Sequence, residues 1–201
     1  MIRVILADDQ HLVRGALAAL LSLEPDIAVV AEIDDGARVV TAAREHRPDV
    51  VLLDIEMPGL DGLAAAAQLA ADMPGCRAVI VTTFGRPGYL RRAMEAGAVG
   101  FVVKDAPAHH LADTIRRVHA GEQVIDPVLA ASALSAGPSP LTQRERDVLA
   151  ACTDGATITD IAERLTLSTG TVRNYLSSAI TKTHTRNRIE ALRTAQRNGW
   201  L

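Results

Sequence analysis

Aromatic residues make up only 2% of this 201-residue chain, so its cores must be built from aliphatic side chains. The two cysteines, Cys76 and Cys152, lie far apart without the spacing of metal ligands, which favours reduced and buried thiols. No apolar run is long enough to span a membrane, and the first residues lack the length and cleavage site of a secretory peptide. We therefore expect a cytoplasmic protein with no membrane partner.

The charge is unevenly distributed along the chain, although the net charge is only −3. Residues 1–140 carry 12 basic and 18 acidic side chains, whereas residues 141–201 carry 9 basic and 6 acidic ones. Within residues 168–201 the balance is 6 basic to 1 acidic. An acidic first part and a basic last part indicate different partners, and a polyanion suits the second.

The first 122 residues alternate short apolar runs with amphipathic helical patterns. The five apolar runs begin at Val4, Val29, Val50, Val79 and Phe101. Continuous apolar strands between amphipathic helices are typical of a parallel sheet that is covered on both faces. The expected fold class is therefore α/β, with a doubly wound, five-stranded parallel sheet of the flavodoxin-like type. In such sheets ligands bind at the carboxyl ends of the strands.

The alternation stops after residue 122, and a second pattern follows. Residues 123–140 are predicted to form a linker with a possible short helix, because they end in the run Ser-Ala-Gly-Pro-Ser-Pro. Residues 141–201 show helical periodicity only. The chain is thus predicted to contain a domain at 1–122, a linker, and a small all-α domain of four helices at 141–201.

Polar side chains stand at the ends of four of the five predicted strands. They are Asp8 and Asp9 at the first strand, Asp54 at the third, Thr82 at the fourth and Lys104 at the fifth. Three carboxylates that converge on one sheet edge repel one another and need a proton or a cation. Oxygen ligands suit Mg²⁺, and a hydroxyl and an ammonium group can bind phosphoryl oxygens. The set fits an aspartate that accepts a phosphoryl group, although ordinary turn and cap residues also occur at strand ends.

Residues 1–122 resemble the receiver domain of a two-component response regulator. The similarity is carried by Asp8-Asp9, by residues 54–62 (Asp-Ile-Glu-Met-Pro-Gly-Leu-Asp-Gly), by Thr82, and by residues 101–105 (Phe-Val-Val-Lys-Asp). The order Lys104-Asp105-Ala106-Pro107, in which proline does not directly follow the lysine, is similar to the NarL/FixJ branch of that family.

The resemblance implies a phosphoacceptor and a metal site. Asp54 is expected to accept the phosphoryl group, and a sensor histidine kinase is the expected donor. Asp9, Asp54 and the backbone carbonyl of Glu56 are expected to hold Mg²⁺, while Asp8 acts through a water molecule. No enzyme activity is expected beyond self-phosphorylation and autodephosphorylation.

The resemblance also implies the residues that respond to phosphorylation. Lys104 is expected to pair with Asp54 and then with a phosphoryl oxygen. The Thr82 hydroxyl is expected to move toward the phosphoryl group, and Phe101 to rotate into the space that Thr82 leaves. A contact change of this kind can bias a packed element that has two states.

The third predicted helix of the last domain, at about residues 168–182, has one apolar and one polar face. Its apolar face carries Val172, Tyr175, Leu176, Ala179 and Ile180, and its polar face carries Asn174, Ser177 and Thr181, flanked by Arg173 and Ser178. Short polar groups beside an arginine suit the major groove of DNA. An ordinary helical bundle with a solvated face would show the same spacing.

Residues 141–192 resemble a LuxR-type helix-turn-helix domain. The similarity is carried by residues 141–149 (Leu-Thr-Gln-Arg-Glu-Arg-Asp-Val-Leu), Asp160-Ile161-Ala162, 168–175 (Ser-Thr-Gly-Thr-Val-Arg-Asn-Tyr), Asn187-Arg188 and Glu190-Ala191. One departure is Thr183-His184-Thr185, which stands where the family has an apolar-Gly-apolar turn.

The second resemblance implies that the helix at 168–182 is the recognition helix for double-stranded DNA. By position, Arg173, Asn174 and Ser177 are expected to face the bases. Thr171, Lys182 and Arg188 are expected to lie nearer the phosphate backbone. These six residues form the predicted DNA-binding set.

The two resemblances together predict a transcription regulator in which phosphorylation of Asp54 favours a homodimer. Two helix-turn-helix units would then bind an operator with two half-sites. Two receiver faces remain open for the dimer, one formed by the first and fifth helices and one by the fourth and fifth helices with the fifth strand. Two alternatives also remain: a Mg²⁺-dependent phosphohydrolase with Glu56 as general acid, and a DNA-binding protein with a vestigial receiver.

Overall fold

The computed structural model describes residues 1–83, 87–127, 129–131 and 139–201. It separates into two compact units, and the main division along the chain lies between Ala130 and Ala131. Residues 128 and 132–138 of the predicted linker lie outside the described residues, whereas residues 127 and 129–131, in and next to the suggested short helix, are helical. The domain limits 1–122 and 141–201 therefore stay predictions. Every helix of the described residues is too short or too polar to cross a membrane.

The first unit is a parallel sheet whose strands alternate with helices. The strands are β1 (Ile2–Ala7), β2 (Ile27–Ile33), β3 (Val50–Leu53), β4 (Arg77–Thr82), β5 (Gly100–Val103) and β6 (Val124–Ile125). The helices are α1 (His11–Leu21), α2 (Val39–His46), α3 (Gly62–Asp72), α4 (Pro87–Glu95) and α5 (Ala108–His119), with a 3₁₀ turn at Gly36–Arg38. This is the predicted doubly wound, flavodoxin-like α/β fold.

Within the described residues the sheet has six strands, in the order β2-β1-β3-β4-β5-β6, rather than the five that the sequence predicts. The additional strand, β6, pairs in parallel with β5 through Gly100–Val124 and Phe101–Ile125. A strand of two residues is too short to show a hydrophobic period, so the sequence pattern could not reveal it.

The core of the first unit is almost entirely aliphatic, as the scarcity of aromatic residues requires. Strand β3 lies at the centre of the sheet, and Val50, Val51 and Leu53 are completely buried. On one face the sheet is covered by Ile115 and Val118 of α5, which are also completely buried. Burial on both faces explains why the strands read as continuous apolar runs.

Strand register brings the carboxyl ends of the central strands to one edge. Ala7 at the end of β1 pairs with Leu53 at the end of β3, and the Asp54 N–H donates to the Ala7 carbonyl at 2.8 Å. At the next pair, the Lys104 N–H donates to the Thr82 carbonyl at 2.7 Å. Each polar residue predicted from the strand ends therefore lies at this edge.

The second unit contains four α-helices among the described residues. They are α6 (Gln143–Ala150), α7 (Ile158–Leu165), α8 (Thr169–Lys182) and α9 (Arg188–Asn198). A capping box begins α6, because Thr142 Oγ1 accepts the Glu145 N–H and Glu145 Oε2 accepts the Thr142 N–H. Ser168 caps α8 by accepting the Thr171 N–H at 3.0 Å, so the helix begins where the sequence predicts.

The departure at residues 183–185 forms a left-handed turn after α8. His184 has a φ of 53°, a conformation that glycine adopts more readily. The His184 N–H donates to the Thr181 carbonyl and the Thr185 N–H to the Ile180 carbonyl, both at 3.1 Å. The Thr183 hydroxyl adds a bond to the Ala179 carbonyl at 2.8 Å. This chain therefore closes α8 by the usual pair of bonds without a glycine.

Candidate functional site

The edge formed by the ends of β1, β3 and β5 brings three carboxylates and one ammonium group together. Asp8, Asp9 and Asp54 present carboxylate oxygens that lie within 4.8 Å of one another. Lys104 Nζ lies 2.8 Å from Asp8 Oδ2 and 3.1 Å from Asp54 Oδ2. Asp8 is 3% exposed and Asp54 is 4% exposed, whereas Asp9 is exposed to solvent. The cluster, which we call the acidic pocket, is therefore open at Asp9 and closed behind Asp54.

The electrostatics of the acidic pocket favour a further cation. Burial raises the pKa of the Asp54 carboxyl above its ordinary value. The charge of Lys104 acts to lower this pKa, and the neighbouring Asp8 carboxylate acts to raise it. The single lysine thus does not offset the cost of keeping Asp54 charged, and a second cation would stabilise its ionised form.

The donor set of the acidic pocket fits Mg²⁺. All three side chains offer oxygen atoms, which Mg²⁺ prefers, and the exposed side at Asp9 leaves room for the waters that Mg²⁺ retains. Two oxygens bound to one Mg²⁺ lie about 3–4 Å apart, so the observed cluster needs only a small contraction. Glu56 lies in the turn after β3 with an exposed side chain, and the part of its carbonyl in metal binding stays a prediction.

Thr82 and Phe101 occupy different depths beside the acidic pocket. Thr82 ends β4 and is 4% exposed, and its carbonyl accepts the Lys104 N–H. Phe101 lies inside β5 at 2% exposure, paired in register with Ile80 of β4. The structure therefore places Thr82 at the pocket edge and Phe101 in the adjoining core. Their movement on phosphorylation stays a prediction.

Two glycines hold the turn that follows Asp54, and sequence reasoning did not single out either one. A Cβ atom on Gly62 would lie 1.9 Å from the Asp54 carbonyl oxygen. A Cβ atom on Gly36 would lie 1.8 Å from the Leu60 carbonyl oxygen. Both are backbone contacts that no side-chain rotation can relieve. Two sequence signals exist: Gly62 ends the receiver-like run 54–62, and each glycine directly follows a helix-capping aspartate, Asp35 or Asp61.

The exposed side of α8 carries the predicted base-reading residues. Arg173, Asn174 and Ser177 are exposed, whereas the core-facing Val172 and Ala179 are completely buried. This distribution follows the predicted helical wheel. The structure thus places all three polar residues together on an exposed face of the helix.

The predicted backbone-contacting residues lie at the helix ends. Thr171 is half-buried in the first turn of α8, with its hydroxyl 2.8 Å from Ser168 Oγ. Arg188 is half-buried and begins α9, where Asn187 caps the helix by accepting the N–H groups of Ile189 and Glu190. Their contacts with DNA phosphates stay predictions.

Lys182 is held by an ion pair that the sequence did not reveal. Its Nζ lies 2.8 Å from both carboxylate oxygens of Glu145, which is only 4% exposed. The same carboxylate accepts the Ser178 hydroxyl at 2.6 Å and the Thr142 N–H at 2.6 Å. Burial alone would raise the pKa of Glu145, but the hydrogen bonds from Lys182, Ser178 and Thr142 together lower it to about 2. A phosphate contact by Lys182 would compete with this pair.

Comparison with known proteins assigns a family to each unit. The family model for the "Response regulator receiver domain" matches residues 4–116, and the model for "Bacterial regulatory proteins, luxR family" matches residues 139–195. The transcriptional regulatory protein DesR of Bacillus subtilis (strain 168) is 42% identical over 201 residues, which cover 100% of both chains. The response regulator RamR of Streptomyces coelicolor is 40% identical over 201 residues, covering 100% of this chain and 98% of RamR.

A solved structure agrees over the whole chain. The crystal structure of the response regulator ChrA, from a heme-sensing two-component system, has a TM-score of 0.59 and 32% sequence identity. The alignment covers 100% of this chain and 98% of ChrA. The likeness therefore includes both units and the order in which they follow each other.

Proposed function

The chain belongs to the DNA-binding transcriptional response regulators that join a receiver domain to a LuxR-type helix-turn-helix domain, and from that premise we propose that phosphorylation of Asp54 controls its DNA binding. A sensor histidine kinase is the proposed donor, and Mg²⁺ the proposed cofactor. Phosphorylation is proposed to favour a homodimer that binds two half-sites.

The geometry of the acidic pocket carries this proposal. The Ile55 N–H donates to Asp54 Oδ1 at 2.9 Å, while Lys104 lies beside Oδ2, so both oxygens have fixed directions. An Asp54 oxygen would form a bond to phosphorus as the bond between phosphorus and the donor nitrogen breaks, and the donor histidine takes up a proton. Mg²⁺, held by Asp9 and Asp54 with Asp8 acting through water, would neutralise charge on the transferring group.

The chain's own residues would then hold the phosphoryl group. Lys104 would move from the Asp54 carboxylate to a phosphoryl oxygen, and the Thr82 hydroxyl would donate to another one. Since Asp54 itself is modified, the protein would act as a phosphoacceptor, with no chemistry beyond self-phosphorylation and autodephosphorylation. Displacement of Lys104 and Thr82 alters contacts at the ends of β4 and β5, which can bias the receiver surface.

The second unit supplies the DNA-binding part of the proposal. The exposed side chains of Arg173, Asn174 and Ser177 suit base edges, and Thr171 and Arg188 suit phosphates. A dimer presents two recognition helices to one DNA molecule. When one helix has bound its half-site, the other helix is held at a high effective concentration near the second half-site. The affinity for DNA therefore rises without new contacts per subunit.

Two measurements test this proposal: the incorporation of a phosphoryl group and the oligomeric state of the protein in solution. After incubation with acetyl phosphate and Mg²⁺, intact-mass spectrometry should show one phosphoryl group on the wild type and none on Asp54→Asn. Sedimentation velocity should show a shift from monomer to dimer for the wild type alone. Incorporation without any shift would refute the dimer, and equal incorporation by Asp54→Asn would refute the phosphoacceptor.

A further inference from the structure

A half-buried arginine close to the acidic pocket has no role in the steps above. The side chain of Arg14, on α1, is only 11% exposed. Its Nη1 donates to the backbone carbonyl of Asp8 at 2.5 Å, and its Nε lies 3.5 Å from Glu32 Oε2 on β2. Arg14 therefore ties the loop between β1 and α1 to the neighbouring strand.

The loop that Arg14 holds is the one that carries two of the three carboxylates. The Asp8 N–H donates to the Ile33 carbonyl at 3.0 Å, and Asp8 Oδ1 accepts the Gln10 N–H at 2.9 Å. Asp9 lies between these two fixed residues and is itself exposed. The direction of the Asp9 side chain thus depends on how firmly its neighbours are held, and Arg14 supplies the bond to the Asp8 carbonyl.

We propose that Arg14 is a positioning residue for the metal ligands: it fixes the backbone of Asp8 so that the Asp8 and Asp9 carboxylates face a bound Mg²⁺. This inference rests on the proposed function, because it requires Mg²⁺ to bind in the acidic pocket. Groups that hydrogen-bond to a ligand-bearing segment set ligand orientation, and their loss weakens metal binding.

The charge of Arg14 and its hydrogen bond have opposite effects on Mg²⁺ affinity. A cation close to an acidic cluster repels a second cation, so removal of the charge alone would strengthen Mg²⁺ binding. Loss of the bond to Asp8 frees the loop, which would weaken Mg²⁺ binding. The direction of the change therefore distinguishes a positioning residue from a nearby charge.

Isothermal titration calorimetry of the full-length protein with Mg²⁺ gives the Kd that tests this role. Arg14→Met is expected to raise the Kd for Mg²⁺ about tenfold. Amide hydrogen exchange at residues 8–10 is expected to become faster in the same variant. Arg14→Lys, which keeps the charge but not the guanidinium geometry, is expected to show a smaller rise in Kd.

A matched control is Arg44→Met, which removes an exposed arginine that pairs with Asp72 at 2.6 Å. The control is expected to leave the Kd unchanged. An unchanged or lower Kd in Arg14→Met and Arg14→Lys would overturn the positioning role alone. Absence of Mg²⁺ binding by the wild type would overturn the proposed function as well. At saturating Mg²⁺, phosphorylation of Arg14→Met should approach that of the wild type, because Asp54 and Lys104 are intact.

Discussion

Replacing Gly62 by alanine is expected to slow phosphorylation of Asp54 about a hundredfold, since displacing a reacting group by about 1 Å can cost that much. The added methyl group would lie 1.9 Å from the Asp54 carbonyl oxygen and 2.8 Å from the Asp54 carbonyl carbon. This steric clash can be relieved only by a shift of the backbone, which would displace Asp54, the proposed phosphoacceptor. Overpacking of this kind should also lower the free energy of unfolding of the receiver domain by about 1–3 kcal/mol.

Gly15→Ala is the matched control for this prediction. A Cβ atom on Gly15 would meet nothing within 4 Å, and the residue lies in the middle of α1. The control should raise the free energy of unfolding by about 0.5–1 kcal/mol and leave phosphorylation unchanged. Both variants can be compared by urea unfolding and by the rate of incorporation from acetyl phosphate. A wild-type rate in Gly62→Ala would show that the turn yields without moving Asp54.

Replacing Glu145 by alanine is expected to destabilise the DNA-binding domain by about 2–3 kcal/mol, because the hydrogen bonds that converge on one buried carboxylate are lost. The carboxylate receives bonds from Lys182, Ser178 and Thr142, and so joins the start of α6 to α8. The estimate lies at the lower end for buried pairs, since the Lys182 side chain is 36% exposed and can be hydrated. Glu145→Gln keeps part of the hydrogen bonding and should lose less.

Trp200 is well placed to report this unfolding. It is the only tryptophan in the chain, and it packs against the core of the second unit. Urea unfolding followed by its fluorescence should show a lower midpoint for both Glu145 variants. A midpoint equal to that of the wild type would contradict the structural importance of the Glu145–Lys182 pair.

The same ion pair predicts a pH dependence of stability. The pKa of Glu145 falls from 4.5 to about 2 on folding, so the unfolded chain binds the proton more tightly. The stabilisation is therefore fully present above pH 4.5 and is lost as the pH falls from 4.5 toward 2. The difference in the free energy of unfolding between wild type and Glu145→Gln should therefore become smaller as the pH falls through this range. An equally large difference at pH 7 and pH 3 would contradict the prediction.

The sequence predicted the fold and the acidic pocket well, because both depend on local patterns. Apolar runs marked the strands, and the polar residues at four strand ends marked the edge where Asp54 and Lys104 meet. Strand β6 was missed because a strand of two residues is too short to show an alternating hydrophobic pattern. The turn at His184 was recognised as a departure, but only the backbone shows that a histidine can take the left-handed position there.

The contacts that the sequence did not predict are all tertiary. Glu145 stands in the run 141–149 that resembles a LuxR-type domain, and nothing in the order of residues pairs it with Lys182, 37 positions later. The close approach of Gly62 to Asp54 and the bond from Arg14 to Asp8 likewise depend on how segments fold back on one another. Such contacts decide which residues position the site, while local patterns decide which residues form it.

The most direct test of the proposed switch is the DNA affinity of the full-length protein at one fixed salt concentration. A duplex selected from a random pool by the phosphorylated protein would serve as the ligand, and fluorescence anisotropy would give the Kd. Acetyl phosphate with Mg²⁺ should lower the Kd of the wild type at least about tenfold and leave that of Asp54→Asn unchanged, as expected when dimerisation adds a second half-site. If wild type and variant bind equally tightly with and without acetyl phosphate, Asp54 does not control DNA binding.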